Sequence, residues 1–380
     1  MGVCSSKMSS NSTTIKKRGG IDKIFLALTV ILVVVGFFIF YSASLGLLAG
    51  GTTKFMAVTF NQIVFGILGG TVVAAITSLI PYTFWRKWAF LIFGGSIVLM
   101  ALVFVPHIGV FHGGAKRWIG FGGMSMQPAE FYKISFVLYV SAWFASVKAK
   151  AGTFKFGTLP LIILIGLSAG LVLMQPDTET FLVIAASGVA VYLAAGGAWK
   201  PLLIIGLVGA VGLTALVIER PYLQQRINTF MDPSKDPTGS GYQIQQSLIA
   251  IGSGGLTGRG FGQSTQKFAF LPEPIGDSIF AVASEEFGFV GSVLIIILYI
   301  LFAFQALRIA TRVPDPFGSY TIVGIVVLIV LQSFMNIAAM LAIVPLSGTP
   351  LLFISHGGTA LFFTMASAGI IMNISKYQKR

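Results

Sequence analysis

Few ionisable side chains in this sequence lie beside or inside apolar runs, and each is a candidate for chemistry, because a charge in such a place is costly unless paired or used. The acids are Glu130, Asp177, Glu179, Asp277, Glu285 and Glu286, and Lys133 is the base among them. Glu130 and Lys133 stand one helical turn apart and can pair with each other, so a buried structural ion pair is the favoured reading. Asp177 falls in Gln175-Pro176-Asp177, a turn where its carboxylate would cap the next helix through free N–H groups. Asp277 ends the stretch Leu271-Pro272-Glu273-Pro274-Ile275-Gly276-Asp277 at the edge of an apolar run, near water, lipid headgroups and a basic loop. A carboxylate there either caps the following helix or accepts a proton from a reacting group. Glu285 and Glu286 lie about 12–14 Å further along by helical rise, too deep for a headgroup-level substrate, and are expected to bond neighbouring helices.

The cations add a second theme. Lys116 and Arg117 lie in one loop, residues 107–128, and Arg220, Arg226, Arg259 and Lys267 lie in another, residues 219–277. Such clusters ask for an anionic partner, with Arg suited to bidentate phosphate contact and Lys to a point charge. The plain alternative is that a long loop crosses the membrane regardless of its charge. His107, His112 and His356 make no recognisable metal-ligand spacing. The single Cys4 excludes an intrachain disulfide. The Gly-rich stretch Gly252 to Gly262 has neither phosphate-cradle spacing nor a preceding strand, so a nucleotide site is rejected there.

The elements that must hold these residues are set by composition. The chain has 380 residues, 55% hydrophobic and 10% charged, whereas a soluble domain carries about 25% charged residues to face water. The formal charge of +13 does not make a nucleic-acid binder, because Lys and Arg sit in short clusters between apolar runs rather than along one basic face. The 33 Phe and 45 Gly fit lipid-facing bulk and close helix packing.

Crossing about 30 Å of hydrocarbon takes about 20 apolar residues. Such runs lie near 22–48, 57–80, 87–106, 129–147, 157–174, 178–195, 200–218, 278–306, 319–344 and 351–374. An all-α polytopic membrane protein of about ten helices follows, occupying residues 21–376, with one large extracytoplasmic loop at 219–277. With the N-terminus inside, most of the 25 Lys and Arg fall on the cytoplasmic side, as the positive-inside tendency requires, so both ends are placed there. Within the large loop, Ile244, Leu248 and Ile251 recur at helical spacing beside Gln243, Gln245 and Gln246, the pattern of a helix at the membrane surface. Residues 1–20 read as a disordered cytoplasmic tail. The Met1-Gly2-Val3-Cys4-Ser5-Ser6 start matches a myristoylation pattern by chance, since the helices already anchor the chain.

These motifs, in order, resemble a known set. Gly114-Ala115-Lys116-Arg117-Trp118-Ile119, Gln127-Pro128-Ala129-Glu130 and Gln175-Pro176-Asp177 look like successive signatures of the SEDS family (shape, elongation, division and sporulation proteins). So do Gly241 to Gly255, Leu271-Pro272-Glu273 to Asp277, Glu285-Glu286-Phe287-Gly288, and Gly348-Thr349-Pro350 with Phe353-Ile354-Ser355-His356-Gly357-Gly358. The similarity covers nearly all of residues 22–374. Gly260 to Lys267 is more similar to the division branch, FtsW and its sporulation relative, than to the elongation branch, RodA. Three departures stand out: where the family's motif usually reads His-Thr-Asp-Phe-Ile-Phe, Ile275-Gly276-Asp277-Ser278-Ile279-Phe280 keeps the Asp while its neighbours change, Thr178-Glu179 follows Asp177 where Gly is usual, and His356 replaces a frequent Tyr.

The resemblance implies a peptidoglycan glycosyltransferase that polymerises lipid II on the outer face of the bacterial cytoplasmic membrane, in cell division. Asp277 would be the general base for an inverting transfer with undecaprenyl diphosphate leaving. Lys116, Arg117, Arg220, Arg226, Arg259 and Lys267 would bind the diphosphate, with Lys116 and Arg117 supported by the family motif. Glu130, Lys133, Asp177, Glu285 and Glu286 would be secondary polar groups. Fixed cations or a divalent metal ion, Mg2+ or Mn2+, would stabilise the leaving group; no organic cofactor is expected. The implied partners are lipid II, the nascent glycan strand, a class B penicillin-binding transpeptidase and membrane proteins of the division complex. Two rivals stay open: a lipid II flippase with Glu130, Lys133, Glu285 and Glu286 lining a polar path, and a non-catalytic scaffold.

Overall fold

A computed structural model describes residues 19–112, 115–121, 124–236, 239–346 and 348–379. The expected tail lies almost wholly outside the described residues, as do Cys4, the myristoylation pattern and Gly114. In chain order the helices before the sheet are α1 (Lys23–Ser44), α2 (Thr52–Asn61), α3 (Gly69–Leu79) and α4 (Tyr82–Leu102). Strands β1 (Gly109–His112), β2 (Ala115–Phe121) and β3 (Met124–Met126) follow, then α5 (Pro128–Val147), α6 (Leu159–Leu173), α7 (Thr178–Ala194), α8 (Trp199–Glu219) and α9 (Pro221–Met231). The last are α10 (Ser240–Ser253), α11 (Gln266–Ala269), α12 (Ile279–Arg312), α13 (Pro316–Met340) and α14 (Gly358–Ser375).

Among the described residues eight helical segments are long and apolar enough to cross a membrane, one of them Phe55–Leu79, where a π-helical stretch joins α2 to α3. Helix α7 is apolar but shorter, and α5 spans 20 residues but carries Glu130 and Lys133. Each of the ten expected runs therefore contains a helix. Helix starts are fixed locally: the Asp22 carboxylate accepts the Phe25 N–H at 2.9 Å, and Asp177 accepts the Thr180 N–H at 3.2 Å, the capping role expected of it.

Helix α13 sits centrally, against α5, α7 and α12, and α14 packs along α3. Its central place suits its sequence, since Thr321, Ser333 and Asn336 are as buried as its aliphatic residues. Helix α8 stands apart, with none of its apolar window buried; a helix apolar on every face is what a lipid surround accepts.

The three strands form one antiparallel sheet in the order β1-β2-β3, pairing Val110 with Trp118 and Ile119 with Met126. Sequence reading gave no strands here, because runs of three to seven residues broken by glycine carry too little alternation to register. The expected large loop is also more structured than one surface helix, comprising α9, α10 and α11. Part of it lies against a break in α12 at Gly288, whose φ of 66° and ψ of −163° leave the helix. There Arg259 N–H and Gly260 N–H donate to the carbonyls of Glu285 and Glu286, while Phe289 N–H and Val290 N–H donate to Gly255 and Leu256. Loop and broken helix thus satisfy each other's backbone, as irregular chain at membrane depth must.

Candidate functional site

Asp277 occupies the last turn before α12, on a run of turns from Leu271 that makes no helix of its own. Three successive carbonyls on this run are bonded by other elements. His356 N–H donates to Ile275 at 2.7 Å, the Ser355 hydroxyl donates to Gly276 at 2.8 Å, and the Asn336 amide donates to Asp277 at 2.8 Å. Gln243 from α10 adds a bond to the Ser278 hydroxyl at 2.9 Å. Asp277 is partly buried. Burial pushes its pKa up to about 6, the Glu273 carboxylate adds to the rise, and the Arg226 and Arg117 guanidinium groups oppose it. A carboxyl poised near 6 is mostly ionised at neutral pH yet basic enough to take a proton.

Arg117 reaches this site from β2 and Arg226 from α9. Arg117 is fixed by donating through Nε to the Gln175 carbonyl at 3.0 Å and through a second nitrogen to the Pro176 carbonyl. Through Arg117, β2 and the 175–177 turn, far apart in sequence, are therefore tied together. Gly348 closes the site from the segment between α13 and α14. Its φ is 77°, and a Cβ there would stand 3.5 Å from Asp277 Oδ2, so the absence of a side chain leaves the carboxylate approachable.

The other expected anion binders divide. Lys267 is buried, with its ammonium 2.6 Å from Glu286 and bonded to the Ser42 hydroxyl and the Gly262 carbonyl. Arg259 lies 3.3 Å from Glu285 and donates to the Thr265 hydroxyl. Both cations thus belong to the lock that fastens the loop to α12 and do not join the Asp277 group. Lys116 and Arg220 are exposed. Glu285 and Glu286 bond the 259–267 segment and α1 rather than only neighbouring helices, through Ser264, Thr265, Gln266 and Ser42. Glu130 and Lys133 pair at 2.9 Å, and Lys133 also donates to Gln332 at 2.6 Å.

Sequence reasoning singled out Glu179 as a costly charge without giving it a role, and gave Glu273, Asn336 and Gly348 no part in the site. Gly348-Thr349-Pro350 was visible as a motif, but Asn336 lies in an apolar helix with no local signal. Among the described residues no group of three or more His, Cys, Asp or Glu is assembled that could hold a metal ion. A divalent cation beside Asp277 and Glu273 would depend on substrate phosphate for most of its ligands.

A family model described as cell cycle protein, FTSW_RODA_SPOVE, matches residues 22–380. Stage V sporulation protein E of Bacillus subtilis (strain 168) is 34% identical over 366 residues, which cover 96% of this chain and 99% of that protein. A probable peptidoglycan glycosyltransferase FtsW of Trichlorobacter lovleyi is 35% identical over 354 residues, 93% of each. Among solved structures, a chain of a peptidoglycan synthase complex that coordinates polymerization and crosslinking superposes with a TM-score of 0.77 at 24% identity, over 94% of this chain and 99% of that one. The rod shape determining protein RodA of Thermus thermophilus gives 0.68 at 24% identity, over 95% and 98%. These two likenesses show a shared fold.

Proposed function

The chain belongs to the FtsW, RodA and SpoVE family of cell cycle proteins, and from that premise we propose that it is a peptidoglycan glycosyltransferase that polymerises lipid II, in cell division. It is a multi-pass membrane protein by its apolar helices and its family. We place it in the bacterial cytoplasmic membrane with both ends in the cytoplasm and Asp277 facing outward. Relatives named as probable peptidoglycan glycosyltransferases support the reaction, and their division name supports the setting. The substrate suits the architecture: a lipid-linked disaccharide keeps its tail in the bilayer and its sugars at the surface.

The observation that carries the reading is one carboxylate on a turn whose backbone is bonded from α13 and from the Ser355–His356 segment, with guanidinium groups acting on it from β2 and α9. In the proposed step Asp277 takes the proton from an acceptor sugar hydroxyl as that oxygen attacks the donor's anomeric carbon. The bond from that carbon to the diphosphate breaks with inversion, and negative charge grows on the leaving oxygens. Arg117 and Arg226 meet that charge, each with paired donors matched to phosphate. Arg117 needs little reorganisation to do so, since two carbonyls already orient it. Lys116 and Arg220, exposed nearby in sequence, would draw the anionic headgroup toward the surface. No step here runs through a metal ion.

The flippase reading gains no observation, because Glu130, Lys133, Glu285 and Glu286 are already bonded to protein groups. The partner is proposed to be a class B penicillin-binding transpeptidase, in keeping with the synthase complex that shares the fold. The test is purified full-length protein, with and without that partner, given lipid II in detergent. Glycan polymer that disappears on Asp277→Asn is the expected result. Headgroup translocation without polymer would establish a transporter instead, and neither activity, even with the partner, would leave a scaffold.

A further inference from the structure

The site depends on two charged groups from distant parts of the chain, Asp277 and Arg117, standing in a fixed relation. Neither is held by a regular element across the gap. Asp277 sits on a run of turns, and Arg117 hangs from the carbonyls of Gln175 and Pro176. One buried side chain joins the two halves. Asn336, 1% exposed on α13, donates through its amide nitrogen to the Asp277 carbonyl and to the Thr349 carbonyl, both at 2.8 Å. The Thr349 hydroxyl in turn donates to Glu179 at 2.6 Å. Glu179 stands in the first turn of α7, directly after the 175–177 turn that holds Arg117. The path from base to cation is therefore Asp277 carbonyl, Asn336 amide, Thr349, Glu179 and the Arg117 turn.

We infer that Asn336 is a positioning residue that sets the placement of Asp277 relative to Arg117, acting with Thr349 and Glu179. This rests on the reading of Asp277 as the general base. The physical case is that a primary amide has two N–H donors in one plane at a fixed angle, so the two carbonyls it bonds are held at a set separation. A shorter side chain cannot span both. Burial makes the constraint firm on the Thr349 side, where a released carbonyl would be left without a partner. Ser355 and the His356 N–H hold the two preceding carbonyls, so Asn336 completes a clamp over Ile275, Gly276 and Asp277. A displacement of about 1 Å at a reacting group costs about 100-fold in rate.

Steady-state polymerisation of lipid II by the full-length protein with its transpeptidase partner tests this, read as kcat, KM and the acid limb of the pH profile. In Asn336→Ala the Asp277 backbone is released and its carboxylate gains water. We expect kcat to fall about 100-fold, KM for lipid II to hold, and the acid limb to move below about 6 toward the ordinary carboxylate range. Ser333→Ala, which removes a buried bond within the same helix, should lower thermal stability alone and leave the limb in place. Should Asn336→Ala not fold, Thr349→Val cuts the link to Glu179, with Thr349→Ser expected to restore kcat because the hydroxyl returns. A limb fixed at its wild-type position in Asn336→Ala, or Thr349→Val as active as wild type, overturns the inference. Polymerisation that survives Asp277→Asn instead overturns the reading of the base, so the two failures are distinguishable.

Discussion

Asp277 carries a cost that the proposed chemistry would explain. Its carboxyl is raised from an ordinary 3.8 to about 6, chiefly by burial, and a carboxyl whose folded-state pKa is raised favours the fold only while protonated. That stabilisation is complete below the ordinary pKa and is lost as pH rises through about 6. At neutral pH the ionised group therefore strains the fold by about 3 kcal/mol, at about 1.4 kcal/mol per pKa unit. Asp277→Asn should abolish polymerisation yet raise the thermal melting point in detergent at pH 7.5, with the gain vanishing below pH 4; a melt that drops at both pH values would contradict this. In the proposed mechanism the same titration sets activity with the opposite sign. As the proposed base, Asp277 works only when ionised, so kcat/KM should rise with pH through about 6 and level off above it. Asp277 and Arg117 could be found in the sequence because charge at an apolar edge is conspicuous. Asn336 could not, being an amide in an apolar helix, and Gly348 showed only as part of a motif, without its role, because it matters for the space it leaves.

At the scale of elements, the loop between α9 and α12 is anchored by a buried ion pair. Lys267 and Glu286 are 0% and 1% exposed, so removing one partner strands a charge, at a cost of about 3–5 kcal/mol. Lys267→Ala or Glu286→Leu alone should lower the melting temperature markedly. The double variant Lys267→Met with Glu286→Leu should regain most of the loss, because no charge is then stranded and the Ser42 hydroxyl can turn to its own helix. Melting curves of the three proteins check it, and a double variant no better than the singles would refute the lock. Gly288 is the backbone half of the same device. At φ of 66°, with the Gly258 nitrogen 2.3 Å from where a Cβ would lie, Gly288→Ala is expected to straighten α12 or expel the loop, lowering polymerisation together with stability. The acids of this lock were visible in the sequence as costly charges, and Arg259 and Lys267 as cations, but not that they pair with each other. The bonds run from loop to helix over about 20 residues and need the helix break to bring them together, and a break at one glycine inside a long apolar run has no periodic signature.

On the scale of the whole molecule, the described ends of the chain meet. Gly19 N–H donates to the Lys376 carbonyl, Asp22 N–H to the Ser375 hydroxyl, and Gln305 and Gln378 to the Asp22 carboxylate. The start of α1, the end of α12 and the end of α14 therefore share one face, where Arg86 also pairs with Asp315 at 3.6 Å. A chain whose two ends lie on the same face crosses an even number of times, which agrees with ten helical runs and with the clustering of cations read from the sequence. The helix runs were legible because hydropathy alone dictates them. The sheet was not, because it is held by pairing between short strands. The opposite face carries Asp277, the sheet and α9, so the proposal requires that face to be extracytoplasmic. In a Cys4→Ser background, single cysteines at Lys116 and Arg220, both exposed, should react with a membrane-impermeant maleimide added to intact cells. A cysteine at Lys379 should react only after the membrane is opened. The reverse pattern would place Asp277 in the cytoplasm, away from any glycan strand it could extend.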